Sequence, residues 1–209
     1  MRIHASGLLI SLVISFLLFT GCEQQRELSP YEQAIWQSRF EKNMRFRDPK
    51  RTILRPEDLA RFQGLDFFPV DSSYRFEVPL HRLATPETTW VSRRKGQLDP
   101  YLKIGYIQLK IKGIPAKLAV FHIPETSGDW VWIPFTDSTT GIDTYGGGRY
   151  LDAPLQRNGT VLVDFNLAYN PLCAYNPYDY NCAVPPRENR LPVAIRAGEK
   201  KSHLFEFDF

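Results

Sequence analysis

Twelve residues from Asp143 to Pro154, DTYGGGRYLDAP, hold the densest run of groups able to do chemistry. Three successive glycines, Gly146, Gly147 and Gly148, can turn consecutive backbone N–H groups toward an anion. Arg149 can fork onto a carboxylate or a phosphate. With Tyr145 beside them, these groups could form the polar edge of a pocket for a small anionic or carbohydrate-like ligand. No helix follows, because RYLDAP reads as extended and breaks at Pro154. The dipole that a phosphate loop uses is therefore missing. The same glycines also suit a tight bend with positive φ, where backbone passes close to another strand.

Carboxylates supply the second candidate chemistry. Asp137, Thr139 and Asp143 place oxygen ligands at alternating positions around Gly141, a weak pattern for calcium that lacks the acidic density of an EF-hand. Asp164 and Asn166, at the end of an expected strand, could join a ligand site with Tyr145 and Arg149. A hydrolase could use Asp137, Asp143 or Glu188 as acid or base, with Arg149 holding charge. The sequence has no G-x-S-x-G elbow, no H-E-x-x-H and no Walker lysine after the glycines. His81, His122 and His203 are scattered, and no cofactor is expected beyond that weak calcium pattern.

The N-terminus sets the expected compartment. Arg2 precedes an apolar run, LLISLVISFLLF, that ends in Thr20-Gly21-Cys22. So short a run followed by polar residues fits a signal peptide better than a membrane span. Leu18-Phe19-Thr20-Gly21-Cys22 resembles a bacterial lipobox, so residues 1–21 are expected to be removed and Cys22 lipidated. Residues 22–28 then form a polar tether, and 29–209 a single domain. The protein is expected to face the periplasm or cell exterior from a lipid anchor, on the outer membrane if the host has one. Of 26 basic and 23 acidic residues, loss of Arg2 leaves 25 against 23, which is no footprint for nucleic acid. Cys173 and Cys182 remain as an even pair in an exported chain, the arithmetic of one disulfide, with zinc or reduced thiols as alternatives.

The elements that must position these residues are mainly strands. Ser29-Pro30-Tyr31-Glu32 predicts a capped helix start. Trp36, Phe40 and Met44 follow at intervals of four, an apolar stripe expected to pack on the core. A second short helix is expected over Pro56–Phe62. Strands are expected at Arg75–Leu80, Thr88–Arg93, Leu102–Lys112, Lys117–Ile123, Trp130–Phe135, Val161–Phe165, Val193–Arg196 and Leu204–Phe207. A bulge is expected near Gly105, and tight turns at Gly113, Ser127–Asp129 and Asn158-Gly159. The fold class is thus mainly β (α+β by count), a β-sandwich or partly open barrel with an N-terminal amphipathic helix. Tyr169–Asn189 reads as a long loop held by the two cysteines.

PFTDSTTGIDTYGGGRYLDAP, followed by VDFNLAYNPLCAYNPYDYNCAVPPRENRLPVAIRAGEK, resembles the bacterial domain-of-unknown-function family 1684. Asp143 departs from the glutamate of the family's GKETYGGGRY. The resemblance implies no activity. It does place Asp137, Arg149, Asp152, Asp164, Asn166, Tyr169 and Glu199 among the family's positions. Three functions follow as expectations: a binding or structural envelope module with a polar pocket around Gly146–Arg149, a hydrolase, or an envelope assembly protein whose partner is another envelope component.

Overall fold

In the computed structural model, residues 27–123 and 129–205 are described. The chain is mainly β. It runs through helices α1 (Pro30–Arg47) and α2 (Pro56–Arg61), then strands β1 (Arg75–Pro79), β2 (His81–Ser92), β3 (Leu98–Ile111), β4 (Ile114–His122), β5 (Trp130–Phe135), β6 (Arg149–Pro154) and β7 (Thr160–Asp164). Strands β2 to β6 form an antiparallel meander in chain order, and β1 pairs with β7 in a separate two-stranded sheet. Both sheets are open, and no barrel closes.

The turns follow the residues at them. Lys112 and Gly113 both have positive φ, 48° and 84°, which suits a two-residue link between β3 and β4. At Asn158-Gly159 the Gly159 N–H donates to Gln156 O at 2.9 Å, and Leu155 bridges to Val161. The register between β3 and β4 slips between Lys103 and Gly105. A Cβ on Gly105 would sit 2.4 Å from the His81 carbonyl oxygen, so only glycine fits this bulge. The turn expected at Ser127–Asp129 lies mostly outside the described residues, but its flanks pair, Phe121 with Trp132 and His122 with Val131.

Two expected strands differ. Val193–Arg196 is not a strand, although Leu191, Val193, Ile195 and Ala197 are buried in alternation as a strand's would be. Its carbonyls go to scattered partners in place of one neighbouring strand: Val193 O accepts from the Ser138 N–H, Ala194 O from the Tyr74 hydroxyl and Ile195 O from Arg149. Leu204 and Phe205 are not in a strand, and residues 206–209 lie outside the described residues.

The meander has two working faces, because side chains alternate along a strand. On one face Ile107, Leu109, Leu118, Val120, Ile133 and Leu151 pack with Val161 and Val163 of β7 and with Leu191, Val193 and Ile195. That is the main core. On the opposite face Phe121, Trp132 and Tyr150 cluster with Ala183, with Tyr101 and Tyr169 packed against them.

Helix α1 starts as its cap predicts. The Ser29 hydroxyl accepts from the Glu32 N–H at 3.2 Å, and Glu32 accepts from the Ser29 N–H at 2.9 Å. The stripe expected to reach the core points the other way. Trp36, Phe40 and Met44 are 60%, 49% and 50% exposed. The helix docks through a largely polar face at 31, 35, 39, 42, 43 and 46. Tyr31 donates to Asp164, Arg39 to Phe68 O and Asn166 O, and Asn43 accepts from the Leu65 N–H. Ile35 and Phe46 are the helix's buried apolar residues. These four specific polar contacts outcompeted a stripe of three large apolar side chains. Apolar periodicity reports only one face of a helix, and here not the docked one.

Candidate functional site

Arg149 lies at the start of β6 and is 1% exposed. Its guanidinium donates to Asp137 Oδ2 at 2.6 Å, to Ile195 O at 2.8 Å, and to the carbonyls of Ala197 and Glu199. Asp137 turns its other oxygen to Thr139, accepting from the N–H at 2.6 Å and from the hydroxyl. Burial draws the guanidinium below the usual arginine value, opposed by the charges of Asp137 and Glu199. Its four partners are Asp137 and three carbonyls of the 195–199 segment. The arginine ties the C-terminal segment to the sheet.

The glycines before it form the corner. Gly148 has a φ of 83° and donates its N–H to Tyr145 O at 3.0 Å. A Cβ there would meet Pro185 Cγ at 2.6 Å and Phe135 O at 2.8 Å. Gly148 therefore carries the constraint; Gly146 and Gly147 do not have positive φ. Gly146 does line a polar cleft with Asp143, Tyr145, Lys200, Lys201 and His203, but Arg149 is not part of that cleft. Burial pushes the Tyr145 hydroxyl up to about 12.

The remaining sequence candidates disperse. Asp143 pairs with Arg196 at 3.1 Å and Glu188 with Lys103 at 3.6 Å, while Asp137 is taken by Arg149. Each carboxylate proposed for hydrolysis thus faces a different cation. The calcium pattern places Asp137 and Asp143 on separate arginines, and among the described residues no group of three or more metal-ligating side chains forms. Asp164 and Asn166 sit under α1. Asp164 accepts from Tyr31 at 2.9 Å and from the Asn166 N–H at 3.0 Å, and Asn166 bonds the Asp71 backbone. They latch the helix to the end of β7. A second buried carboxylate, Glu199, gathers Lys42, the Asn170 N–H at 2.7 Å and the Tyr175 hydroxyl at 2.8 Å.

A different cleft, of about 760 Å³, opens on the other face of the sheet. Strand alternation builds its floor: Trp132 on β5 and Tyr150 and Asp152 on β6 point away from the main core. Tyr101 on β3 stacks on Trp132 with centroids 4.9 Å apart. Tyr150 meets Trp132 edge-on at 5.0 Å, and Tyr169 meets Tyr150 at 5.8 Å. The loop through Cys173–Cys182, joined by a disulfide with Cα atoms 6.0 Å apart, supplies the second wall with Leu172, Tyr180 and Asn181. That loop is fixed to β2, since the Arg94 N–H donates to Cys182 O at 2.9 Å and the Val184 N–H to Ser92 O at 2.7 Å. Arg93 closes one end, already held by Asp99 and by Asn181 O at 2.7 Å.

Asp152 is the unusual group in this cleft. Its carboxylate accepts from the Tyr169 hydroxyl at 3.0 and 3.1 Å and has no ion pair among the described residues. Desolvation raises its pKa, against the Tyr169 hydrogen bond and the charge of Lys42. The hydroxyls of Tyr101 and Tyr180 make no hydrogen bond within the described residues, so they too can meet a ligand. Burial pushes the Tyr169, Tyr150 and Tyr101 hydroxyls above the ordinary tyrosine value, so all three stay protonated donors. The sequence signal for this cleft was present but mute. WVWIPF and RYLDAP each alternate, yet alternation does not say which of two faces is a cleft.

Residues 60–200 match the model of a family described as a protein of unknown function (DUF1684). The chain is also similar to an uncharacterised protein of Haloarcula marismortui whose structure was solved in solution by NMR. The two share 31% identity and a TM-score of 0.64, over 82% of this chain and 94% of the other. No curated protein matches. The match over most of the described residues, together with that likeness, places this chain in the DUF1684 family.

Proposed function

We propose that this protein is an exported, membrane-tethered binding module of the cell envelope, and that it takes a neutral, hydroxyl-rich ligand of the saccharide class in the aromatic cleft. The observation that carries this reading is Asp152. A carboxylate with one hydroxyl partner stands among tyrosine and tryptophan rings, beside the free hydroxyls of Tyr101 and Tyr180. Rings offer the apolar face of a pyranose a flat contact, and an acceptor carboxylate with tyrosine hydroxyls satisfies its rim. The charges nearby are largely compensated, Arg93 by Asp99 and Asp179 by Arg55, which favours a neutral ligand over an ionic one. The tether rests on the sequence Leu18–Cys22, which lies outside the described residues. No described helix is long and apolar enough to cross a membrane.

The test is calorimetric titration with a panel of neutral mono- and oligosaccharides. A saccharide is expected to bind, and Asp152→Ala or Tyr101→Ala to weaken it about tenfold, the loss of one charge-assisted hydrogen bond or one ring contact. Gly146→Ala, in the polar cleft, is expected to leave it unchanged. Absence of any saccharide binding, or affinity indifferent to Asp152→Ala, would sink the proposal.

A further inference from the structure

Helix α1 grips the domain with its polar side and turns its apolar side outward. Trp36, Phe40 and Met44 are each about half exposed or more. At the C-terminal end of that face, Phe40 and Met44 run into a shallow groove of about 600 Å³ lined by Arg45, Arg47 and Arg51 against Glu41 and Asp48. None of these arginines makes an ion pair among the described residues. Residues 36–51 hold six basic side chains against two acidic, Glu41 and Asp48. Three of the six are spent on the protein, Arg39, Lys42 and Arg47, the last donating to Gln63 O at 2.6 Å. An apolar stripe bordered by uncommitted cations matches the chemistry of an anionic lipid surface, where rings and thioethers enter the acyl boundary and arginines meet phosphates.

Chain length brings this face to such a surface. Pro30 begins α1 eight residues after Cys22, a span of at most about 28 Å when fully extended. That is about the length of the helix itself, 18 residues at about 1.5 Å each. A lipid on Cys22 would hold α1 as the first folded element above the bilayer. We infer that the outward face of α1 lies flat on anionic lipid, with Trp36, Phe40 and Met44 in the acyl boundary and Arg45 and Arg51 on headgroup phosphates. For its location this rests on the tether proposed above, whereas the face would bind anionic vesicles with or without acylation.

The experiment uses the full protein purified from membranes and reconstituted in vesicles of phosphatidylethanolamine and phosphatidylglycerol carrying brominated acyl chains, against phosphatidylcholine vesicles carrying the same chains. Bromine quenching of tryptophan fluorescence is read for the wild type and for Trp36→Phe, and the mass of the mature N-terminus is measured in parallel. Quenching present on the anionic vesicles, absent from Trp36→Phe, and abolished in Arg45→Glu with Arg51→Glu is the expected result. Quenching that persists unchanged in Trp36→Phe overturns the inference. So does cross-linking that captures a second copy or another protein on this face. An acylated chain with unquenched Trp36 keeps the tether and overturns the docking. An unacylated chain whose Trp36 is quenched when it is added to anionic vesicles keeps the docking and removes the tether.

Discussion

Strand β6 carries Arg149 and Asp152 three residues apart, and the two have opposite surroundings. Arg149 faces the main core, where Asp137 and the 195–199 carbonyls occupy its donors. Asp152 faces the aromatic cleft, where one tyrosine hydroxyl meets it and desolvation raises its pKa. Odd spacing along a strand puts two residues on opposite sides of the sheet. A dense chemical motif can therefore straddle a core and a site. Saturation of partners, more than the type of residue, separates a charge that holds structure from one that is available to a ligand.

The largest effect should come from the core side. Arg149→Met leaves the Asp137 carboxylate buried without its cation and strips three backbone carbonyls of their donor. A loss of about 3–5 kcal/mol is expected, read by chemical denaturation. If the variant fails to express folded, Asp137→Asn, which retains a hydrogen-bonding amide, supplies a milder version of the same loss. A change under about 1 kcal/mol in both would erase the contrast. Next, Cys173→Ser with Cys182→Ser opens the loop that walls the cleft. About 3 kcal/mol should be lost from chain-entropy terms, and amide exchange should accelerate first across residues 172–182, on the cleft side of the sheet.

Smaller effects sharpen the comparison within the glycine corner. Gly148→Ala meets a left-handed backbone and the Phe135 carbonyl, so about 2 kcal/mol should be lost, whereas Gly147→Ala should cost markedly less in the same thermal melts. Equal costs would mean that the corner does not turn on Gly148. The smallest stability effect belongs to Asp152→Asn, within about 0.5 kcal/mol at neutral pH because the amide oxygen still accepts from the Tyr169 hydroxyl. Its sign follows from the pKa shift. A carboxylate raised above 3.8 in the folded chain holds its proton more tightly there than when unfolded. Its contribution to stability thus declines as pH rises from 3.8 through the folded value. The Asn variant should match the wild type below that window and gain slightly above it. A wild type that gains relative to Asp152→Asn on the same rise would reverse the assignment.

Much of the fold could be read from local chemistry. Ser29, Pro30 and Glu32 satisfy each other within four residues, Gly113 and Asn158-Gly159 need their own backbone angles, and Gly105 marks its bulge. Those features are local, and so is their signal. The orientation of α1 was not legible, because what decides it is Asp164, Asn166, Phe68 and Glu199, all distant in sequence. The Val193–Arg196 alternation predicts a strand that does not form, for the same reason. Its burial pattern is a strand's, but its carbonyls go to scattered partners, Ile195 O to Arg149 some 46 residues earlier, Ala194 O to the Tyr74 hydroxyl and Val193 O to the Ser138 N–H. The residues of DTYGGGRYLDAP were visible as a unit; their division between two faces was not, since it depends on which side of β6 the remaining chain covers. The cleft's second wall comes from a loop whose position depends on pairing with Arg93 and Arg94, which no periodicity announces.

The measurement that bears most directly on this division is a residue-resolved NMR chemical-shift map during titration with the saccharide panel. The account predicts shifts concentrated on the Trp132 indole, Tyr101, Asp152, Tyr169 and Tyr180, with Arg149 and Ile195 unmoved. Shifts centred instead on Tyr145, Gly146 and Lys200 would put the ligand at the glycine corner and contradict it.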